Sequence, residues 1–441
     1  MIRPKKRTKL PLIDQILRRR AKIGILGLGY VGLPLALAFA RHGFVVTGFD
    51  VDGARIARLQ GGESPLAGVT DPLLADLVAE GRLRFKAGFR DLKKQQVILI
   101  CVPTPLRKTR DPDISHILAA VQEVAAQLKA GQLIVLESTT YPGTTEEILL
   151  PALEAQGLKV GRDFNLAFSP ERLDPGNETY HLGNTPKIVG GITPTCTRLA
   201  ALLYHTVVER VFPVRNARTA ELVKQLENTF RAVNIGVANE FAQICEKFGA
   251  DVWEVIAAAA TKPFGFMPFY PGPGLGGHCI PLDPQYLSWK LKALNYQPRF
   301  IDLATNVNLS MPEYVFGRVQ SALNAAAGKA LKGAKILLVG VTYKKNVADT
   351  RESPAYELGR LLHAAGARLN YADPLIPEWE APWGRAKAKK LSPQLLRAQD
   401  LALIVTDHDA LSLDQVVLHS PLVFDTRGAT QGLRSKNVVR L

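Results

Sequence analysis

The segment Lys22-Ile-Gly-Ile-Leu-Gly-Leu-Gly-Tyr-Val-Gly32 constrains the fold of this 441-residue chain more than any other stretch. An apolar strand enters Gly27-x-Gly29-x-x-Gly32, a helical pattern runs from Gly32 to His42, and Phe44–Asp50 reads as a second strand. That is a βαβ unit of the expected length. In this setting Gly27 permits the tight turn, Gly29 lets a pyrophosphate approach the backbone, and Gly32 allows close helix–strand packing. The helix N-terminus then favours the anion. Asp50, 23 residues after Gly27, is placed to accept hydrogen bonds from an adenosine ribose. A carboxylate there repels a 2′-phosphate, and Val51 rather than Arg follows, so NAD is expected rather than NADP.

Buried-strand candidates recur at Val97–Val102 and Leu133–Glu137, with helical patterns between them, implying a parallel sheet covered on both faces. From Ala217 to Phe248 there is no Pro and only Gly236, and Leu222, Val223, Leu226 and Phe230 keep a helical period. One long helix joining domains is predicted there. A second α/β block begins at Lys335–Gly340, with candidate strands at Arg368–Tyr371, Leu401–Val405 and Leu422–Phe424. These end in Asp373, Asp407 and Asp425 with Arg427, at carboxyl ends where open α/β sheets bind ligands. The expected fold class is therefore α/β, with two Rossmann-like doubly wound parallel-sheet domains joined by a long central helix. The expected divisions are a basic arm 1–20, a dinucleotide-binding domain 21–216, a central helical region 217–325 and a second α/β domain 326–441.

The net charge of +15 points to an acidic partner. Eight bases and one acid of that balance lie in residues 1–20, and no aromatic–basic nucleic-acid motif appears, so no nucleic-acid partner is expected. Leu12, Ile13, Ile16 and Leu17 have helical spacing, so the arm either packs on the body or another subunit or is a loose basic tail. No apolar run reaches the ~20 residues of a membrane span, and the N-terminus lacks a signal-peptide core. No membrane insertion and a cytoplasmic location are expected. Cys101, Cys196, Cys245 and Cys279 form neither a disulfide framework nor a metal pattern, so no metal is expected.

Chemistry concentrates in a few segments. Pro271-Gly-Pro-Gly-Leu-Gly-Gly-His-Cys279-Ile-Pro-Leu-Asp283 puts a cysteine behind glycines that let backbone lie close to a substrate. Cys279 is a candidate nucleophile there, with Asp283 four residues on; a small core cysteine is the alternative. His278, adjacent in sequence, projects elsewhere and is assigned to substrate contact or loop structure. Lys224, Asn228 and Arg231 share one helix face at i, i+4 and i+7. A buried Lys224 is suited to act as acid, base or oxyanion stabiliser, whereas such a stripe is ordinarily a solvated face. Glu171, in Ser169-Pro-Glu-Arg172, follows the predicted strand Leu166–Phe168, and Thr139 follows another strand. Tyr343-Lys344-Lys345…Asp349-Thr-Arg351-Glu-Ser353 puts basic groups at a strand end, which suits a diphosphate; surface charge is the plainer reading.

Together and in this order, these segments resemble the UDP-glucose/UDP-mannosaminuronate dehydrogenase family of nucleotide-sugar 6-dehydrogenases, from about residue 21 to the C-terminus. Arg172-Leu-Asp-Pro-Gly-Asn177, Thr261–Gly272 and His278 look most like the UDP-N-acetylglucosamine branch. The resemblance implies an NAD-binding domain, a central dimerisation and catalytic-loop region, and a UDP-sugar domain. It implies a homodimer or higher homo-oligomer and a four-electron oxidation of carbon 6 with two NAD. Cys279 would form a thiohemiacetal and then a thioester. Lys224 and Asn228 would stabilise and position substrate oxygens. Asp283 would accept the alcohol proton, directly or through water, or act with Lys224. Glu171 would serve thioester turnover and Thr139 would position water. Cofactor contacts carry over to Gly27, Gly29, Tyr30, Val31, Gly32, Asp50, Arg55, Pro103, Thr104 and Thr139. Substrate contacts carry over to Glu171, Arg172, Lys224, Asn228, Arg231, Tyr270, Gly276, His278, Lys344 and Arg427. UDP-N-acetylglucosamine is the expected substrate, with UDP-N-acetylmannosamine, UDP-N-acetylgalactosamine and UDP-glucose as alternatives. A two-electron β-hydroxyacid dehydrogenase explains neither Cys279 nor the second α/β domain, and a non-enzymatic nucleotide or nucleic-acid binder rests only on charge.

Overall fold

The structure, a computed structural model, describes residues 10–66, 71–107, 111–174, 176–177, 179–277, 280–433 and 435–441. The chain forms two compact units, Met1–Glu227 with Gln285–Ala293, and Asn228–Pro284 with Leu294–Leu441.

The first unit is built on an eight-stranded sheet of β1 (Lys22–Leu26), β2 (Val45–Phe49), β3 (Leu83–Lys86), β4 (Val97–Ile100), β5 (Leu133–Leu136), β6 (Asn165–Phe168), β7 (Lys187–Gly191) and β8 (Val211–Pro213). The order is β3-β2-β1-β4-β5-β6-β7-β8. β1 pairs in parallel with β2 (Leu26↔Phe49) and with β4 (Leu26↔Ile100). The winding therefore reverses between β1 and β4, which opens a crevice at their carboxyl ends. β4 and β5 are buried along their whole length, which explains their unbroken apolar sequences. One core packs on each face of the sheet, around Phe39 and Phe44 on one side and Phe164 and Phe168 on the other. β7 departs from the parallel pattern and runs antiparallel to β6 (Ala167↔Gly191). Its glycines admit neighbouring backbone: a Cβ on Gly190 would stand 2.1 Å from the Asn216 carbonyl oxygen.

The arm's described part is docked on this unit. Helix Leu12–Leu17 buries Ile16 and packs against helix Pro194–Tyr204.

The second unit holds a five-stranded parallel sheet of β9 (Lys335–Val339), β10 (Arg368–Ala372), and, after a small hairpin of β11 (Glu378–Ala381) and β12 (Gly384–Lys387), β13 (Leu401–Ile404), β14 (Val423–Asp425) and β15 (Val438–Arg440). The order is β10-β9-β13-β14-β15, so the winding reverses between β9 and β13. Apolar cores again lie on both faces.

The predicted long helix is present as Ala217–Phe248, 32 residues that begin in the first unit and end in the second. In the second unit Gly236 lets it approach helix Arg299–Ala327, where a Cβ would meet Ala304 at 3.4 Å. The buried amides of Asn239 and Asn308 bond across the same contact at 2.8 Å. Among the described residues no helix is long and apolar enough to cross a membrane.

Candidate active site

In the first crevice the three glycines take different roles. Gly27 has φ +87°, a backbone conformation L side chains avoid, and a Cβ there would lie 2.5 Å from the Cys101 carbonyl oxygen. A Cβ on Gly32 would stand 1.8 Å from the Gly27 oxygen. A Cβ on Gly29 meets nothing within 4 Å, so its backbone faces open space. Val31 immediately precedes helix Gly32–Arg41, and Tyr30 is exposed. Asp50 is buried at the end of β2. Its Oδ2 accepts from the Leu28 N–H at 2.9 Å and the Arg55 guanidinium at 3.0 Å, and its Oδ1 from the Asp52 N–H. Val51 beside it is 83% exposed. An open glycine backbone at a helix start, with a carboxylate fixed at the rim, fits a dinucleotide.

Pro103 and Thr104 follow β4, and the buried Tyr286 donates its hydroxyl hydrogen bond to the Thr104 carbonyl. Thr139 sits between two pinned neighbours. Ser138 Oγ donates to the Val102 carbonyl at 2.7 Å, and Gln225 donates to the Thr140 carbonyl at 2.9 Å. Glu221 secures the same loop by accepting from Gly143 and from the N–H and hydroxyl of Thr145. Burial nonetheless raises the Glu221 pKa to about 7, because desolvation outweighs those donors.

Glu171 and Lys224, 53 residues apart in sequence, come together in the first unit. The buried Lys224 Nζ donates to the Glu171 carbonyl at 2.7 Å and lies 3.5 Å from its Oε2, while Oε1 accepts from the Leu173 N–H. Arg172 donates to the Pro186 carbonyl and to Glu227, both at 2.6 Å. A cleft lined by Val31, Leu35, Glu137, Glu171, Arg172 and Lys187 links the glycine turn to Glu171 within this unit. One helical turn beyond Lys224, Asn228 donates to the buried Asp283 carboxylate in the second unit. Arg231 is exposed to solvent.

The rest of the second unit's predicted site gathers at the ends of its strands. Gly276 and Gly277 lie on Tyr343: an added Cβ would approach that side chain to 2.7 Å in each case. Gly272 donates its N–H to Asn239 at 2.9 Å and passes close to the Arg427 guanidinium. Arg427 Nε donates to the Val405 carbonyl at 2.8 Å. Lys344 is half-buried, its carbonyl held by the Thr342 hydroxyl at 2.9 Å. Tyr270 stacks on Trp253 with ring centroids 6.1 Å apart. His278 and Cys279 lie outside the described residues. Cys101, Cys196 and Cys245 are buried. Burial, then the nearby Glu137 charge, raises the Cys101 thiol well above its ordinary pKa, which suppresses its thiolate. Among the described residues no group of three His, Cys, Asp or Glu side chains could hold a metal ion.

Sequence reasoning missed Tyr286, Glu221 and Asn239 as supports. Only Glu221 carried a signal, standing three residues before Lys224 on the same helix.

Residues 21–208 match the NAD binding domain of the UDP-glucose/GDP-mannose dehydrogenase family, residues 218–310 its central domain, and residues 337–432 its UDP binding domain. The chain belongs to this family. It is thereby an NAD-dependent nucleotide-sugar dehydrogenase by family. It is 35% identical over 420 residues to a UDP-N-acetyl-D-mannosamine dehydrogenase of Methanococcus maripaludis, covering 92% of each chain. It is 36% identical over 362 residues to a UDP-N-acetyl-D-glucosamine 6-dehydrogenase of Pseudomonas aeruginosa, covering 82% of this chain and 84% of that one. Its fold matches a solved UDP-D-ManNAc dehydrogenase from Pyrococcus horikoshii with TM-score 0.85 and 33% identity, over 95% of this chain and 98% of that one.

Proposed function

We propose that this enzyme oxidises carbon 6 of a UDP-N-acetylhexosamine, UDP-N-acetyl-D-glucosamine in the first instance, to the uronic acid through a covalent adduct on Cys279. The observation that carries the reading is the central helix. It presents a buried Lys224 hydrogen-bonded to Glu171 and, one turn on, Asn228 bound to Asp283. An ammonium and a carboxylate–amide pair one turn apart supply what oxidation of an alcohol needs: charge for a developing alkoxide and a base for its proton.

Gly27, Gly29, Gly32 and Asp50 would hold NAD, which would supply the hydride acceptor for each oxidation. In the first, Asp283 takes the hydroxyl proton, directly or through water, while Lys224 and Asn228 hold the oxygen that becomes the aldehyde. The Cys279 thiolate then adds to that aldehyde, and Lys224 stabilises the resulting thiohemiacetal oxygen. Loss of the second hydride from that carbon leaves a thioester. Water held by Thr139 and activated by Glu171 adds to it, expelling the thiolate and releasing the carboxylate. Lys344 and Arg427 would hold the diphosphate. Support comes from the described residues: Thr139 and Glu171 follow β5 and β6, Lys344 and Arg427 follow β9 and β14, and Lys224 and Asn228 share the central helix.

A second substrate, UDP-N-acetyl-D-mannosamine, is favoured by the relative of that name, which covers more of the chain than the glucosamine enzyme does. The test is a panel of UDP-sugars with product analysis and NADH counting. The proposal expects the highest kcat/KM with UDP-N-acetylglucosamine and two NADH per acid. A higher value with the mannosamine epimer moves the specificity, and one NADH per product ends the mechanism. Self-association is also proposed, because Phe230, Val237, Phe241 and Ile244 form an exposed apolar stripe on the central helix. Light scattering that gives only monomer would remove it.

A further inference from the structure

Between β9 and β13, where the second sheet reverses its winding, the crevice holds a buried histidine with no role in the mechanism above. His408 Nδ1 accepts the Asn346 N–H at 3.0 Å. That bond requires an unprotonated Nδ1 and so places the ring hydrogen on Nε2. Nε2 faces the Thr342 hydroxyl oxygen at 3.0 Å and Asp373 Oδ2 at 3.2 Å. Thr342 in turn donates to the Lys344 carbonyl, and Asp373 Oδ2 accepts the Val341 N–H at 2.7 Å. Asn346 has φ +59°, and its side chain is tied to Asp409 at 2.6 Å. The ring thus bonds the residue two before Lys344 and the residue two after it.

We infer that His408 is a positioning residue that sets the turn Thr342–Asn346 so that Lys344 meets the nucleotide-sugar diphosphate. This rests on the proposed role of Lys344. Only a ring nitrogen that accepts serves the Asn346 N–H. The charged groups around it are Asp373 at the end of β10, Lys344 and Lys345 on the turn, and Asp407 and Asp409 beside it. Asp373 is held below its ordinary pKa, since His408 and backbone donors outweigh burial. Lys345 holds Asp409 down and is itself held up by it.

The experiment is calorimetric titration of UDP-N-acetylglucosamine into NAD-free enzyme for wild type, His408→Ala, His408→Asn and Lys344→Ala, with the NAD affinity measured alongside. His408→Ala should weaken sugar-nucleotide binding about tenfold and leave NAD binding unchanged. His408→Asn, whose Oδ1 can still accept from Asn346, should recover most of it. If His408→Ala unfolds, the Asn variant decides. An Asn variant that binds NAD normally but binds the sugar nucleotide at least about tenfold more weakly than wild type overturns the inference. Weakening in Lys344→Ala with an inert His408→Ala removes His408 alone. No effect in Lys344→Ala removes the diphosphate reading and this inference with it.

Discussion

The two sheets solve the same backbone problem and furnish the result differently. After β1, Gly27 turns at φ +87° and the next N–H, of Leu28, is held by Asp50 from the end of β2. After β9, Gly340 turns at φ +75° and the next N–H, of Val341, is held by Asp373 from the end of β10. Beyond that point they diverge. The first turn continues with Gly29 and Gly32, and its acid pairs with Arg55 at the rim. The second continues with Thr342 and Lys345 at the corresponding positions, and its acid faces the buried His408. One crevice is therefore bare backbone, suited to a ligand that brings its own anionic groups to a helix start. The other is filled with side chains, suited to selecting a ligand by charge and shape. The glycine and the acid make the turn, while the residues two and five positions on decide its use.

The largest effect should come from Gly32→Ala. Its methyl would collide with the Gly27 carbonyl, so the first unit should lose more than about 3 kcal/mol in denaturant unfolding. Gly29→Ala meets no protein atom and should unfold like wild type while losing NAD affinity. Equal NAD binding in Gly29→Ala would show that the open space there is not ligand space.

Carboxylates sharpen the contrast with pH. Glu221 in the first unit has its folded pKa raised to about 7, so its stabilising contribution is full below the unfolded value and is lost as pH rises through 7. Glu221→Gln should flatten that loss, on the order of 3 kcal/mol, in stability measured between about pH 5 and pH 8. Asp373 in the second unit is shifted down, so its contribution is present above the unfolded pKa and is lost as pH falls through the folded one. A mutant profile parallel to wild type would contradict the Glu221 assignment.

Asp50→Ala should cost NAD about 1–3 kcal/mol, seen by titration, and leave sugar-nucleotide binding alone. Equal efficiency of NAD and NADP in the wild type would show that Asp50 followed by Val51 does not select the cofactor.

Much of this was legible in the sequence because it is local. The glycine turn, Asp50, the bounds of the Ala217–Phe248 helix and the acids at the ends of the second sheet's strands follow from spacing and periodicity. What was not legible is pairing at a distance. Lys224 and Asn228 share a helix face in the sequence, but Glu171 and Asp283 stand in other segments, and nothing in their spacing joins Lys224 to Glu171 or Asn228 to Asp283. The antiparallel β7 was hidden because its glycines serve backbone contacts with Asn216 and Thr197 rather than a turn. His408 was passed over because it follows Asp407, the residue that strand-end reasoning selects, while its partners Asn346 and Asp373 lie 62 and 35 residues away.

One sulfur is proposed to carry the second oxidation, and counting products tests that role. Wild type and Cys279→Ala are each given one UDP-N-acetylhexosamine and excess NAD, NADH and uronic acid are quantified, and the quenched protein is weighed by mass spectrometry. Two NADH per acid and a trapped sugar adduct are expected from wild type, with almost no net acid from Cys279→Ala. A Cys279→Ala enzyme that still forms two NADH and one uronic acid near the wild-type rate would contradict it.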